Sequence, residues 1–361
     1  MRKGISVAVA AMLVSGMLAG CSDDDSENPE ARPGKIGVIL PDTTSSQRWV
    51  DDDPKYLKEA FAAAGVPADI QNAQGDKRRF ERIGRQMIAD GVTVLIIANL
   101  DSRSGKVVLD EARAENVLTI DYDRLTLNGG ARYYVSFDNV AVGRMQAQGL
   151  IKCLAEENVT RPVVAELHGA PSDHNATLFK QGYDSVLQQQ YDTGDMRKGP
   201  DQPVPNWDLT EAGLIFEQMM TQTDGKIDGV LAANDGLANA VIEVLKKTRS
   251  NGRVPVTGQD AEVQGLQNML AGDQCMTVYK AIKAQATAAA ELAIALAKGK
   301  PRDIVQVVKD PVSGADIQSV LLPPKLIYRA DIKDVVREGF VTEEELCTRE
   351  FAEACADAGV G

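Results

Sequence analysis

The stretch Val92-Thr93-Val94-Leu95-Ile96-Ile97-Ala98 is a near-continuous apolar run, interrupted by a single threonine. A half-exposed strand would alternate apolar and polar residues. A run this uniform is typical of a parallel strand covered on both faces. Such a sheet requires helices on each side, and the flanking sequence supplies them. Residues 79–90 read as a helix that ends at Gly91, and a second helical stretch covers about 106–115.

The same rhythm extends outward. Ile36-Gly37-Val38-Ile39-Leu40 is a buried strand, 68–71 is strand-like and 117–120 is the next strand. Residues 54–64 are helical, with Tyr56, Leu57, Ala60, Phe61 and Ala64 at core spacing and Gly65 as a stop. Further on, strands are expected at 133–137, 162–167, 227–232, 254–257 and 276–279. Helices are expected at 140–156, 176–189, 210–221, 237–247, 261–270 and 282–298. Repeated β-α units predict an α/β chain with two doubly wound parallel sheets. Residues 193–208, rich in Gly, Pro and Asp, read as one long irregular loop, and loops of that length are usually functional.

Ligands of such sheets bind outside the carboxyl ends of the strands. The residues there are polar: Asp42, Asp121-Tyr122-Asp123-Arg124, Asp138-Asn139, Asp173-His174-Asn175, Asn234-Asp235 and Gln259-Asp260. Each hydroxyl of a polyol both donates and accepts, and Asp, Asn and Arg meet both needs. The strand ends therefore suit a ligand with many hydroxyls.

Setting aside the first thirty or so residues leaves about 330, more than one core usually serves, so two lobes are expected. Hydrophobic residues make up 44% of the chain, enough for real cores. The net charge is −13, and losing Arg2 and Lys3 would make it −15. A chain this acidic has no electrostatic case for nucleic acid or for anionic lipid surfaces.

Met1-Arg2-Lys3 is followed by an apolar run over 5–18 and then Leu18-Ala19-Gly20-Cys21. A basic head, a short apolar middle and small residues at a cut site make a secretory signal over 1–20. The run is too short to span a bilayer comfortably. Leu-Ala-Gly-Cys resembles the bacterial lipobox, which implies that Cys21 is acylated and becomes the mature N-terminus. The acidic stretch 22–30 reads as a disordered tether, so residues 21–34 are expected to carry the lipid and the tether. The mature protein would then be soluble, outside the cytoplasm and held to the cell membrane. Cys153, Cys275, Cys347 and Cys355 remain, an even number that permits disulfides in an exported chain. Three connectivities are open. A local bridge between Cys347 and Cys355 is favoured, with buried free thiols as the alternative.

Six pieces of sequence, in order, carry a resemblance to a known family. They are Gln47-Arg48-Trp49, Tyr122-Asp123-Arg124, Tyr134-Val135-Ser136-Phe137-Asp138-Asn139, Asn234-Asp235, Gly258-Gln259-Asp260-Ala261 and Met276-Thr277-Val278-Tyr279-Lys280. With them the chain resembles the periplasmic sugar-binding proteins of the ribose/xylose type, most of all the D-xylose-binding and multiple-sugar-binding proteins, over about residues 35–340.

The resemblance implies a type I periplasmic binding protein fold: two doubly wound parallel-sheet lobes joined by three crossings, near Phe137, near Lys280 and within 313–322. It places 35–136 plus 281–315 in the N-terminal lobe, and 137–280 plus 316–361 in the C-terminal lobe with its tail. It also implies a monosaccharide in the cleft, delivered to an ABC permease; no cofactor and no metal are expected, and the chain is expected to be a monomer. Trp49 and Trp207 would stack on the two faces of the sugar ring. Arg48, Asp123, Arg124 and Lys280 would bind hydroxyls by charge-assisted bonds. Asp173, Asn175, Asn234 and Asp260 would do so from the second lobe. Two departures stand out: His174, where the family commonly has Asn, and the proline-rich Pro203-Val204-Pro205-Asn206 before Trp207. The tail over 342–361 reads as an addition.

Competing readings attach to several of these residues. Asn234 also suits a helix N-cap. Trp207 could be a loop anchor and Asp123-Arg124 an ion pair at a lobe edge. Asp51-Asp52-Asp53 reads as a solvated helix start rather than a metal site. An exported sugar-processing enzyme is the catalytic alternative, because carboxylates are plentiful. The chain has no G-x-S-x-G, no H-E-x-x-H and no phosphate-cradling loop, and only two histidines, His168 and His174. A repressor of related fold would need a helix-turn-helix where the signal segment stands. A sensor presenting loaded protein to a membrane receptor stays compatible with binding.

Overall fold

In the structure, a computed structural model, residues 34–300 and 303–360 are described. The expected signal segment, Cys21 and nearly all of the tether lie outside them. No helix among the described residues is long and apolar enough to cross a membrane.

The apolar run at 92–98 is a central strand covered on both faces. Val94, Ile96 and Ala98 join one core cluster with Leu57, Phe61 and Ala289. Leu95 and Ile97, pointing the other way, join a second with Phe80, Ile83, Met87 and Val108. The two-residue period of a strand divides one apolar run between two helical layers.

The chain starts with β1 (Lys35–Leu40), a turn at Gln47–Trp49, α1 (Asp52–Ala63), β2 (Ala68–Asn72), α2 (Lys77–Ala89), β3 (Val92–Ile97), α3 (Ser102–Ala114), β4 (Leu118–Tyr122) and β5 (Tyr133–Phe137). It then crosses into a second lobe as α4 (Asn139–Glu156), β6 (Val163–His168), α5 (His174–Thr193), β7 (Arg197–Pro203), a turn at Pro205–Trp207 and α6 (Leu209–Gln222). There follow β8 (Gly229–Ala232), α7 (Asp235–Lys247), α8 (Val263–Ala271) and β9 (Met276–Tyr279). The chain returns to the first lobe as α9 (Ile282–Ala297), β10 (Val307–Lys309) and β11 (Asp316–Leu322). It ends on the second with β12 (Lys325–Tyr328), α10 (Ile332–Arg337), α11 (Glu343–Leu346) and α12 (Ala352–Ala358).

The first sheet has the strand order β10-β11-β5-β4-β3-β1-β2. All neighbours are parallel except β10 and β11. In the second lobe β7-β6-β8 form a parallel sheet, and β9 pairs antiparallel with β12. The expected strand at 254–257 is an extended segment linking them. The Val230 N–H donates to Pro255 O at 2.9 Å, and the Cys275 N–H to Val256 O at 3.0 Å.

Three expectations need correction. Strand β11 lies beside β5 in the first sheet, so the first lobe's returning segment runs through Leu322 rather than ending at 315. The last crossing falls at Pro323-Pro324, where two prolines end strand pairing. The supposed loop over 193–208 contains β7. Its prolines hid it, and they are tolerated because β7 is an edge strand. Of the three aspartates at 51–53, Asp53 is fully buried rather than solvated.

Both disulfides form. Cys347–Cys355 closes the tail, and Cys153–Cys275 ties α4 to the start of β9. The tail packs on the second lobe in a cluster with Leu266, Met269, Tyr279, Ile332, Val335 and Leu346.

Candidate functional site

Every strand-end loop that the sequence marked as polar leads toward the gap between the lobes. The turn after β1 carries Arg48 and Trp49, and the end of β4 carries Asp123 and Arg124. From the second lobe, the start of α5 carries Asp173 and Asn175, and the turn after β7 carries Trp207. Asn234 follows β8, Asp260 follows the extended segment and Lys280 follows β9. All ten residues line one cavity between the lobes.

Ser45, Ser46, Phe179 and Gln259 also line it, and sequence reasoning missed them. Phe179 stands one helical turn after Asn175 on α5, a spacing that could have revealed it. Gln259 sits inside a stretch already singled out. His174, beside two lining residues, is not among those that line the cavity.

Arg48 is the hub of the first lobe's side. Its Nε and Nη2 donate to the two carboxylate oxygens of Asp53, each at 2.8 Å. Nη1 donates to Asp123 Oδ2 at 2.8 Å, and Nη2 also to Gln285 Oε1 at 2.7 Å. The Tyr122 hydroxyl closes the ring onto Asp53. Four of the five guanidinium N–H groups are thereby spent on protein, leaving Arg48 mainly to orient its neighbours. The guanidinium also lies 4.3 Å from the Trp49 ring centroid, covering one face of that indole.

Asp123 has φ of +63°, a left-handed conformation that aspartate tolerates better than most residues. Tyr134 and Ser136 hydroxyls hold its carbonyl, donating at 3.1 and 2.8 Å. Burial alone would raise its carboxyl. Arg48, Lys280 and Arg124 outweigh burial and hold it at about 2. It is therefore a fixed anion at any ordinary pH.

Bonds across the gap join the two lobes. Arg124 Nε lies 3.1 Å from Asp173 Oδ2. Asn175 Nδ2 donates to Asp123 Oδ1 at 3.1 Å, and Asn234 Nδ2 to Ser45 O at 3.3 Å. Ser46 Oγ donates to Glu262 Oε1 at 2.7 Å, and the Gln47 N–H to the same oxygen at 3.1 Å. Burial, then Asp260, raise the Glu262 carboxyl, and the outcome is about 7. Lys280 Nζ sits 2.9 Å from Asp260 Oδ1. The arrangement is a closed clamp.

Two side chains serve twice. Asn234 Oδ1 caps α7, accepting from the Leu237 N–H at 2.9 Å, while its amide nitrogen reaches the other lobe. Asp173 Oδ1 accepts from the Asn175 N–H at 2.9 Å as the cap of α5, and Oδ2 accepts from Trp207 Nε1 at 3.2 Å. Trp207 has φ of +58°. A Cβ at Gly169 would stand 2.1 Å from two atoms of its ring. Glycine there is what lets the indole pack so closely against the loop after β6.

One group away from the cavity, Glu166, His168 and Asp201, brings three potential ligand atoms within 4.8 Å of one another. Lys180 and Lys198 approach Asp201 at 3.2 and 2.7 Å, so the cluster is an ion-pair network already supplied with cations.

The sequence profile of the periplasmic binding protein domain matches residues 36–301. The chain belongs to the periplasmic binding protein family. It has the type I fold of that family. It is 33% identical over 317 residues to the D-xylose-binding periplasmic protein of Escherichia coli (strain K12), covering 88% of this chain and 93% of that one. It is 30% identical over 323 residues to the multiple sugar-binding periplasmic receptor ChvE of Rhizobium radiobacter, covering 86% and 91%. Among solved structures, the carbohydrate transporter solute binding protein of Chloroflexus aurantiacus in complex with D-glucose superposes with a TM-score of 0.78. That protein is 27% identical and is covered to 97%, against 86% of this chain. These relatives of the periplasmic binding protein are solute-binding proteins, not enzymes.

Proposed function

We propose that this protein is the extracytoplasmic binding component of an ABC sugar importer, and that it holds one monosaccharide between its lobes and delivers it to the permease. The observation that carries the reading is the cavity itself. It gathers two indoles and nine charged or amide side chains, contributed by both lobes, around one closed space. Asp, Asn, Arg and Lys groups on the rim match hydroxyls that donate and accept. The rings of Trp49 and Trp207 match the apolar C–H faces of a pyranose. The names of its relatives point to D-xylose or a similar aldopyranose as the ligand. The segment Leu18-Ala19-Gly20-Cys21 supports acylation of Cys21 and tethering of a monomer to the cell membrane.

Equilibrium dialysis against D-xylose, D-glucose, D-galactose and L-arabinose, with mass spectrometry of the recovered sugar, tests the reading. Retention of one or more sugars with unchanged mass is expected. A sugar recovered chemically altered would point to an enzyme, and retention of none would end the proposal.

A further inference from the structure

Most polar groups of the cavity are already spoken for. Arg48 is paired with Asp53, Arg124 with Asp173, and Lys280 with Asp260. Three buried atoms of cavity-lining side chains have no hydrogen-bond partner among the described residues, and one of them, Asp260 Oδ1, is ion-paired with Lys280 Nζ at 2.9 Å. The other two are Trp49 Nε1 and Gln259 Oε1. The indole N–H can only donate, and the amide oxygen can only accept. One comes from each lobe. Burying either group without a partner costs the free energy of taking it out of water, so a native site keeps such groups where a ligand meets them.

The backbone around Gln259 is rigid. Its carbonyl accepts from the Asp235 N–H at 3.0 Å, and the Asp260 N–H donates to Val278 O at 2.9 Å. Gly258, just before it, has no room for a side chain, since a Cβ there would stand 1.9 Å from Asp235 Oδ1. On the other lobe, Arg48 holds the Trp49 ring from one face. Both atoms are thus presented on supports that do not adapt, a geometry suited to discrimination.

We propose that Trp49 Nε1 and Gln259 Oε1 are the specificity-determining pair: the indole N–H donates to one oxygen of the sugar, and the Gln259 amide oxygen accepts from one particular hydroxyl. This rests on the monosaccharide reading above and adds to it a division of labour. The paired charges fix the cavity, and these two unpaired atoms recognise which hydroxyl stands where. A sugar lacking the hydroxyl that faces Gln259 leaves the buried amide oxygen unmet and is rejected.

The test is calorimetry with D-xylose and its 2-, 3- and 4-deoxy analogues on wild type, Gln259→Met and Trp49→Phe. Methionine keeps the length and loses the amide. Phenylalanine keeps an aromatic face and loses the N–H. Wild type is expected to bind one deoxy analogue at least about tenfold more weakly than the parent. Gln259→Met should bind the parent more weakly and lose that particular discrimination, while Trp49→Phe should keep it and weaken all four sugars alike or relax a different position. Should Gln259→Met bind the parent like wild type, or keep the full penalty at every position, the pair is overturned. Should wild type bind all three deoxy analogues as tightly as the parent, it is overturned without any variant. No binding of the parent by wild type is a different result, which contradicts D-xylose as the ligand; the same design then runs on whichever monosaccharide dialysis retains.

Discussion

Arg124 on the first lobe and Asp173 on the second meet across the cleft, Nε to Oδ2 at 3.1 Å, with both side chains more than nine-tenths buried. The same aspartate oxygen accepts the indole N–H of Trp207. Lobe closure, placement of a tryptophan and neutralisation of a buried charge therefore depend on one carboxylate. Replacing it by the isosteric amide keeps the cap on α5 and removes the charge. Asp173→Asn is expected to weaken sugar binding strongly, since uncoupling a buried ion pair costs about 3–5 kcal/mol. Its circular dichroism should match wild type. Unchanged affinity would show the pair to be incidental.

Gly169 gives a second handle on Trp207. A methyl group there would overlap the ring, so Gly169→Ala must displace the indole. Overpacking of this kind costs about 1–3 kcal/mol, and most of the loss should appear in affinity because the ring faces the cavity. Tryptophan emission of the ligand-free variant should also shift. An alanine variant with wild-type affinity and spectrum would mean that Trp207 does not need its present position.

The Glu262 contact makes closure depend on pH. Burial and Asp260 bring its carboxyl to about 7, and burial with Asp53 brings the neighbouring Asp52 to about 6. Lys55 and Glu345 line the same gap. In the open form water returns to Glu262 and its carboxyl falls toward its ordinary value, so the closed form is the one that holds the extra proton. Its advantage is complete at low pH and is lost as pH rises toward about 7, with no further change above. Asp123 has the opposite sign and titrates only well below this window. The dissociation constant is thus expected to rise severalfold from about pH 5 to about pH 8, and Glu262→Gln should flatten the profile. A flat wild-type profile would remove this coupling.

For Cys21, the check is partitioning. Expressed in its native host, wild type should enter the detergent phase, and Cys21→Ala should be released or remain uncut. Equal behaviour of the two would rule out the lipid anchor.

Much of the site was legible because the fold writes it at strand ends. Once 92–98 is recognised as a doubly covered strand, the polar residues after each strand become candidates, and Asp123, Asp173, Asn234 and Asp260 follow. Trp207 and Arg48 needed the family resemblance as well, since neither stands directly after a strand expected from periodicity. What escaped was tertiary. Nothing local says that Asp53 is buried under Arg48, because three consecutive aspartates look solvated and only the packed turn at Gln47–Trp49 turns one of them inward. Gln285 sits in an alanine-rich helix, and its bonds to Arg48, Asp123 and Val135 appear only when α9 lies on the first sheet. Strand β7 was hidden by Pro200 and Pro203, whose tolerance depends on an edge position that sequence does not reveal. The Cys153–Cys275 pairing joins residues 122 apart, and that proximity too belongs to the folded sheet.

The central claim is that one monosaccharide binds between the lobes on the fixed Asp123 anion. Titration calorimetry of wild type and Asp123→Ala with D-xylose and the three other sugars tests it most directly. The account predicts one site per chain for wild type. It predicts at least about thirtyfold weaker binding for Asp123→Ala, because removing one partner of a buried hydrogen-bonded charge pair costs roughly 2–5 kcal/mol. No heat with any of these monosaccharides, or equal affinity in a folded Asp123→Ala protein, would contradict it.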